Sequence, residues 1–319
     1  MPVTNPTVSD VHLSQPLTNF AQKYLQDSNA FIAGRAMPVI PVIKQFDQYY
    51  TFDRGDFFRD EAEERADGGP SAGGGFSLSN DNYMAKVYAY HKDVTDRQRA
   101  NADSQVKLEQ SSTEFVTLKM MIRRERLFEN TYMTPANWTT SANVSWVTTA
   151  DPVDDVTDAK TVVHQLTGFR PNKGIATRSA WDTLLKNDAL LSRISGGSNN
   201  NMPAKMLKSL IEGWFELDEI FIMDGVYNTA VRGATASNSF MGGDNFLLYY
   251  APDTAVGDTP TAGAGFAWTG FNGATPSGIA ISKFRRPQEF KSDRVEGEIA
   301  IDYKLTGADL GYMFTTPST

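Results

Sequence analysis

The feature that most restricts this chain is a stretch in its first third that no core could accommodate. Arg59-Asp60-Glu61-Ala62-Glu63-Glu64-Arg65-Ala66-Asp67 runs directly into Gly68-Gly69-Pro70-Ser71-Ala72-Gly73-Gly74-Gly75. The first part is charged with no apolar face, and the second is nearly without side chains. β-prone runs flank it at 48–58 and 76–90, and the second sets Tyr88 and Tyr90 against Val87 and Ala89, as a strand with two unlike faces does. The pattern predicts a long hairpin over 46–86 with an acidic, flexible tip. At ~3.3 Å per residue its arms reach roughly 35–45 Å. An isolated two-stranded hairpin is marginally stable in water, so something beyond it must hold it.

A long helix is expected next. Thr95 and Gln98 have capping-box spacing, and neither Pro nor Gly follows as far as Asn130. The spacing predicts one helix over 96–130. Leu108, Phe115 and Ile122 at heptad positions, with Leu118 beside them, form its apolar stripe. Lys107, Glu109, Glu114, Lys119, Arg123, Arg124, Glu125, Arg126 and Glu129 fall on the other positions. Such a helix, about 50 Å long at 1.5 Å per residue, reads as a strut across a sheet, because the seam is too short for a coiled coil.

Before the hairpin, residues 1–18 read as a polar arm, 19–26 as a short helix, and 36–43 as a proline-marked edge strand. From 151 the texture is α/β, with helices over 158–166, 178–192 and 203–214 and strands at 174–176, 219–223 and 246–250. A loop of Gly, Ser and Asn at 195–201 separates two of the helices. Alternating strands over 277–284 and 295–305 follow. No repeat is evident.

Composition closes off several chemistries. Of 319 residues none is Cys and three are His, at 12, 91 and 164, without metal-ligand spacing. No cofactor or metal is expected. Gly69-Pro70-Ser71-Ala72-Gly73 matches the G-x-S-x-G elbow of a serine hydrolase, but that motif needs a strand before it and a helix after it. Asp151, Asp154, Asp155 and Asp158 lack the calcium-loop order and read as acids at a helix N-terminus. No apolar run is long enough for a membrane span. A net charge of −8 disfavours gripping nucleic acid, which takes clustered Lys and Arg. Any nucleic acid nearby is enclosed without sequence-specific binding.

The order of parts — extended arm, proline-marked strand, long acidic-tipped hairpin, long helix, compact α/β insertion, terminal strands — resembles the major capsid protein of tailed double-stranded DNA bacteriophages, the HK97-type capsid fold. The resemblance implies an α+β chain divided as 1–45 (N-terminal arm and first peripheral strand), 46–86 (extended loop), 87–150 (peripheral domain with the spine helix), 151–262 (axial domain) and 263–319 (peripheral return strands). It further implies hexamers and pentamers of this chain closing into an icosahedral shell around phage DNA, assembled in the host cytoplasm and ending in the virion. With no long charged helical extension ahead of the arm, the resemblance implies either a separate scaffolding protein or an extension that has been removed, and the opening Met1 favours the former. A portal and a decoration protein are the other partners the family suggests. An encapsulin-like shell around a cargo enzyme is the alternative. Some relatives cross-link through a hairpin lysine; here the nearest lysines are Lys44 and Lys86, outside the tip.

The residues themselves point to an interface on the hairpin. Phe52, Phe57 and Phe58 cluster on an arm expected to leave the core, and exposed aromatic clusters mark protein contacts. Asp60, Glu61, Glu63 and Glu64 make the tip acidic; Arg123, Arg124 and Arg126 read first as cations favoured in the C-terminal half of a helix, and second as candidate basic counterparts on a neighbour's helix.

Overall fold

A computed structural model describes residues 25–319 except 53, 103–106, 148–149, 196–203, 254–258 and 272–273. The expected arm, nearly all of the short helix at 19–26 and most of the loop at 195–201 lie outside the described residues.

The first sheet is organised by one long strand, β13 (Ser292–Leu305). Its first part pairs antiparallel with β4 (Val87–Thr95) on one side and β12 (Ile279–Arg285) on the other. Its end pairs with β11 (Gly263–Trp268), which carries β1 (Val39–Val42) as a parallel edge strand. Pro41 lacks an N–H to donate, and β1 accordingly sits at the sheet margin.

Thr95 and Gln98 do form the capping box, but the helix it opens, α2 (Asp96–Ala100), ends at an Asn101 C-cap. The strut is a separate helix, α3 (Leu108–Tyr132), of 25 residues and about 37 Å. Of the expected stripe Leu118 and Ile122 pack half-buried against the main core, but the fully buried side is another. Ser112, Val116 and Met120 are buried in the first half, and Glu125, Phe128 and Tyr132 in the second, while Phe115 is exposed against Tyr90. Two surfaces cover the two halves, so the buried face swings round the helix. The first half lies on β13, where a Cβ on Gly297 would stand 2.7 Å from Val116 and 2.9 Å from Met120. The second half meets the segment at 31–37 and the ring of Tyr303, against which Phe128 and Tyr132 pack.

The second sheet has five strands in the order β5 (Thr140–Asn143), β14 (Gly311–Thr315), β10 (Asn245–Tyr249), β6 (Lys173–Thr177), β7 (Glu219–Met223). Both of its faces are covered, and its residues alternate between them. Ala176, Phe246, Leu248 and Phe314 pack with Trp146 under α4 (Pro152–Thr167), α5 (Arg178–Leu184), α6 (Asp188–Ser195) and α7 (Ala204–Trp214). Ile175, Leu247, Tyr249 and Met313 face the other way, into a core shared with α3 and the first sheet. The two sheets are thereby tied into one body. A small hairpin, β8 (Val226–Asn228) and β9 (Asn238–Phe240), stands apart from both sheets.

Three expectations change. The helix at 178–192 is two helices, because the buried Asn187 side chain accepts the Leu190 N–H at 3.0 Å and starts α6 anew. The chain at 140–143 and 311–315, grouped by sequence order with the first sheet, pairs in the second. Glu125, assigned to the outer face of the strut, is fully buried.

Candidate intersubunit interface

The hairpin is β2 (Phe46–Phe52) and β3 (Leu78–Met84), antiparallel from Phe46 opposite Met84 to Phe52 opposite Leu78. The strands are shorter than expected because the chain turns into a single helical turn, α1 (Arg54–Phe57). Its base is held by stacked rings. Phe266 of β11 lies 4.5 Å from Tyr83 and 5.2 Å from Tyr49, centroid to centroid. Asp302 accepts the Met84 N–H at 2.9 Å, and the Tyr49 hydroxyl donates to Asp81 at 2.9 Å. The external anchor that a free hairpin requires is therefore β11 and β13.

At the far end the hairpin carries a cluster of three rings. Phe52, Phe57 and Phe76 have centroids 5.6–6.0 Å apart, and each ring is more than half exposed. Sequence reading had found Phe52 and Phe57 but not Phe76, which antiparallel pairing brings back beside Phe52. Below the rings, Asp56 accepts from the Ser77 N–H at 2.8 Å and the Ser77 hydroxyl at 2.5 Å, which closes the neck of the tip. Those two bonds hold the Asp56 carboxyl below the ordinary carboxylate range. Beyond the neck, Asp60, Glu61, Glu63 and Glu64 are exposed, with Glu61 paired to Arg59 at 2.9 Å. Phe58 is exposed as well, with its ring edge against Gly168 at the end of α4.

The three arginines of α3 are engaged within their own chain. Arg123 lies over the Tyr88 ring at 4.1 Å. Arg124 donates Nε–H to the Tyr303 hydroxyl at 2.9 Å. Arg126 pairs with Glu129 and stacks over Tyr227 at 4.3 Å. Aromatic rings and a tyrosine hydroxyl hold these guanidinium groups within one chain, although Arg123 Nε and Arg124 Nη2 are buried without a hydrogen-bond partner; spacing along a helix gives no sign of either.

The remaining chemical candidates take structural roles. Ser71 stands in exposed chain with no helix following it. Asp151 caps α4 by accepting the Val153 N–H at 3.1 Å, and Asp155 accepts the Trp146 indole N–H at 2.8 Å. Among the described residues no group of three or more His, Asp or Glu is arranged to hold a metal, and no helix is long and apolar enough to cross a membrane.

No family model matches the chain. It is 26% identical over 251 residues to the major capsid protein of Burkholderia phage BcepMu, covering 74% of this chain and 75% of that one. A phage-related protein from Bordetella bronchiseptica RB50 is similar with TM-score 0.66 at 22% identity, covering 92% and 95% of the two chains. The capsid protein of cyanophage P-SCSP1u is similar with TM-score 0.61 at 11% identity, covering 99% and 96%. An encapsulin from Synechococcus elongatus PCC 7942 has TM-score 0.53 at 12% identity, covering 96% of both chains.

These features define the HK97-type capsid fold: a long hairpin carried by a sheet and strut, with an α/β body beside them. Within that class, the chain is similar in sequence to the major capsid protein of a phage and similar in fold to a phage capsid.

Proposed function

We propose that this chain is the repeating unit of an icosahedral shell around phage double-stranded DNA, assembled as hexamers and pentamers in the host cytoplasm. The observation that carries this is the Phe52–Phe57–Phe76 cluster, held away from the core on a hairpin whose base is fixed by Tyr49, Tyr83 and Phe266. Three half-exposed rings are an unfavourable surface for a lone subunit and a favourable one for a neighbour to cover. The acidic run at Asp60, Glu61, Glu63 and Glu64 lies beside them and directs register more than strength. The chain performs no chemistry in this reading; its function is assembly.

We assign the peripheral domain to the first sheet with α3, the extended loop to 46–86, and the axial domain to the second sheet with α4 to α7. The segments at 140–143 and 311–315 go with the axial domain because of their pairing. A separate scaffolding protein, a portal and a decoration protein are the partners that such a shell calls for.

Electron microscopy of the expressed chain, alone and with a candidate scaffold, tests the reading. Closed particles containing nucleic acid after infection support it. A folded monomer that never closes counts against it, and particles filled with a protein cargo favour the encapsulin alternative.

A further inference from the structure

Two Asp-Gly pairs lie among the described residues, Asp67-Gly68 and Asp224-Gly225. Glycine after aspartate has a chemical consequence, because no Cβ shields its backbone nitrogen from the preceding carboxyl carbon. Ring closure between those two atoms needs a free carboxyl group, a free amide N–H and a peptide unit able to rotate. The fold supplies all three at one pair and withholds them at the other.

Asp67 and Gly68 are the corner residues of a β-turn, closed by the Gly69 N–H donating to the Ala66 carbonyl at 2.9 Å. Gly68 takes φ +74°, a conformation that the third position of such a turn asks of glycine. Both residues are exposed, the chain around them is neither helix nor strand, and a Cβ at 68 would meet nothing within 4 Å. Among the described residues neither the Asp67 carboxylate nor the Gly68 N–H has a hydrogen-bond partner. Besides its closing bond, the turn is restrained by Arg65, whose Nε–H donates to the Gly69 carbonyl at 2.5 Å. A surface turn with so few bonds opens at little cost.

Asp224-Gly225, between β7 and β8, is the opposite case. Arg178 donates to both carboxylate oxygens of Asp224, at 3.3 and 3.4 Å, and so holds the side chain in place. The Gly225 carbonyl accepts the Met241 N–H at 2.9 Å. A Cβ at 225 would lie 3.3 Å from Met241 Sδ and 3.5 Å from the Phe31 ring, so the peptide unit has no room to swing.

We propose that Asp67-Gly68 is a site of spontaneous backbone isomerisation, a modification whose sole reagent is water. The Gly68 nitrogen attacks Asp67 Cγ in its carboxylic acid form. The Cγ–N bond forms, the Cγ–OH bond breaks, and the hydroxyl leaves with the nitrogen's proton as water. A second water then adds to the former main-chain carbonyl carbon of Asp67 and breaks that carbon's bond to nitrogen. The chain now runs through Cγ, and the old carbonyl carbon carries a free carboxylate. Nothing is oxidised or reduced and the charge of the tip is unchanged, but the main chain is one methylene longer at the turn. The Ala66–Gly69 hydrogen bond must then close a larger ring. This chemistry belongs to the single subunit and does not depend on the shell reading above.

Peptide mapping of the folded, unassembled chain during long incubation in warm neutral buffer tests it. The peptide carrying Asp67 is expected to yield a product of unchanged mass, by way of a minor species lighter by one water. That product is expected to resist a protease that cuts before aspartate, at the Ala66–Asp67 bond. The peptide carrying Asp224 is expected to convert at least tenfold more slowly. In urea the two are expected to convert at similar rates, which assigns the difference to the fold and not to the flanking residues. Gly68→Ala is expected to slow conversion at 67 several-fold, and Asp67→Ser to abolish it. An Asp67 peptide that stays intact in the folded chain while it converts in urea overturns the proposal. So does an Asp224 peptide that converts as fast as Asp67 in the folded chain.

Discussion

The Glu125 carboxylate, sealed from solvent in the middle of α3, accepts the backbone N–H of Ala33 at 2.9 Å and, with its other oxygen, that of Ile32 at 3.1 Å. One side chain thus ties the segment that enters the fold to the strut. The Tyr303 hydroxyl reinforces the joint, donating to the Ala33 carbonyl at 2.9 Å while accepting from Arg124.

Burial pushes the Glu125 pKa up to about 7, against the two amide bonds and the Arg124 charge, which favour the ionised form, and with the aid of Glu129. A folded pKa raised above the unfolded value means that the folded state binds the proton more tightly. The stability this contributes is complete below pH ~4.5 and is lost as pH rises through about 7. Thermal unfolding followed from pH 5 to 8 is expected to show a declining limb that Glu125→Gln flattens. Glu125→Ala leaves two buried amides without acceptors and is expected to cost about 1–3 kcal/mol for each, measured by urea unfolding.

An opposite limb is expected in acid. Asp93 is held below the usual carboxylate range, first by its hydrogen bonds to Arg294, at 2.8 and 3.0 Å, and then by the charges of Arg294 and Arg286. A depressed folded pKa gives stability that is present above the ordinary carboxylate range and lost as pH falls through the lowered value. Asp93→Asn is expected to make unfolding less steep on the acid side while leaving the neutral limb unchanged. An unaltered acid limb in that variant would contradict the assignment.

Gly263→Ala is expected to damage the main core. A Cβ at 263 would lie 2.4 Å from the Tyr132 ring and 2.8 Å from its hydroxyl. That hydroxyl sits between the carbonyls of Ala264 and Lys304, at 3.1 and 3.0 Å, so the ring has little freedom to retreat. A loss of roughly 1–3 kcal/mol is expected, as for other overpacked cores. Gly213→Ala, on α7 with open space at its Cβ position, serves as the control and is expected to be neutral or stabilising in the same denaturant titration.

Replacing Phe52, Phe57 and Phe76 together by Ser is expected to separate assembly from folding. The three rings contact one another outside the core, so the monomer's unfolding temperature should change little while closed particles fail to form. Particles of normal yield from the triple variant would remove the cluster from the interface.

Lys160 offers a test of the helical body. Its ammonium group is buried and donates to the carbonyls of Phe215 and Glu216 at 2.7 and 3.0 Å, just beyond the C-terminus of α7. The Glu216 carboxylate 3.3 Å away, together with the favourable end of the helix dipole, explains why a charge tolerates burial there. Lys160→Met is expected to destabilise by about 1–3 kcal/mol through the two stranded carbonyls, readable as earlier hydrogen exchange in α4 and α7.

Much of this architecture was legible because its signals are local. The glycine-rich tip, the Thr95–Gln98 cap and the polar–apolar alternation of β13 each declare themselves within a few residues. Strands buried on both faces do not alternate, and Gly263–Trp268 and Gly311–Thr315 were missed for that reason. Glu125 was misplaced because hydropathy assigns every glutamate to water, and its partners lie 92 and 93 positions away in sequence. The spacing of the α3 arginines suits a structural role without showing that Tyr88, Tyr303 and Tyr227 are its partners. On the interface, the aromatic character of the tip was evident; the return of Phe76 to the same cluster required the register of the hairpin.

The position of β14 has a consequence for how the subunit is made. This strand lies inside the second sheet, between β5 and β10, and brings Phe314 against Trp146. During translation β5, β6, β7 and β10 all leave the ribosome before residue 311 exists, and the sheet stays split until that last insertion. A chain interrupted anywhere before β14 lacks an inner strand, so stalled or truncated products carry a second sheet split between β5 and β10.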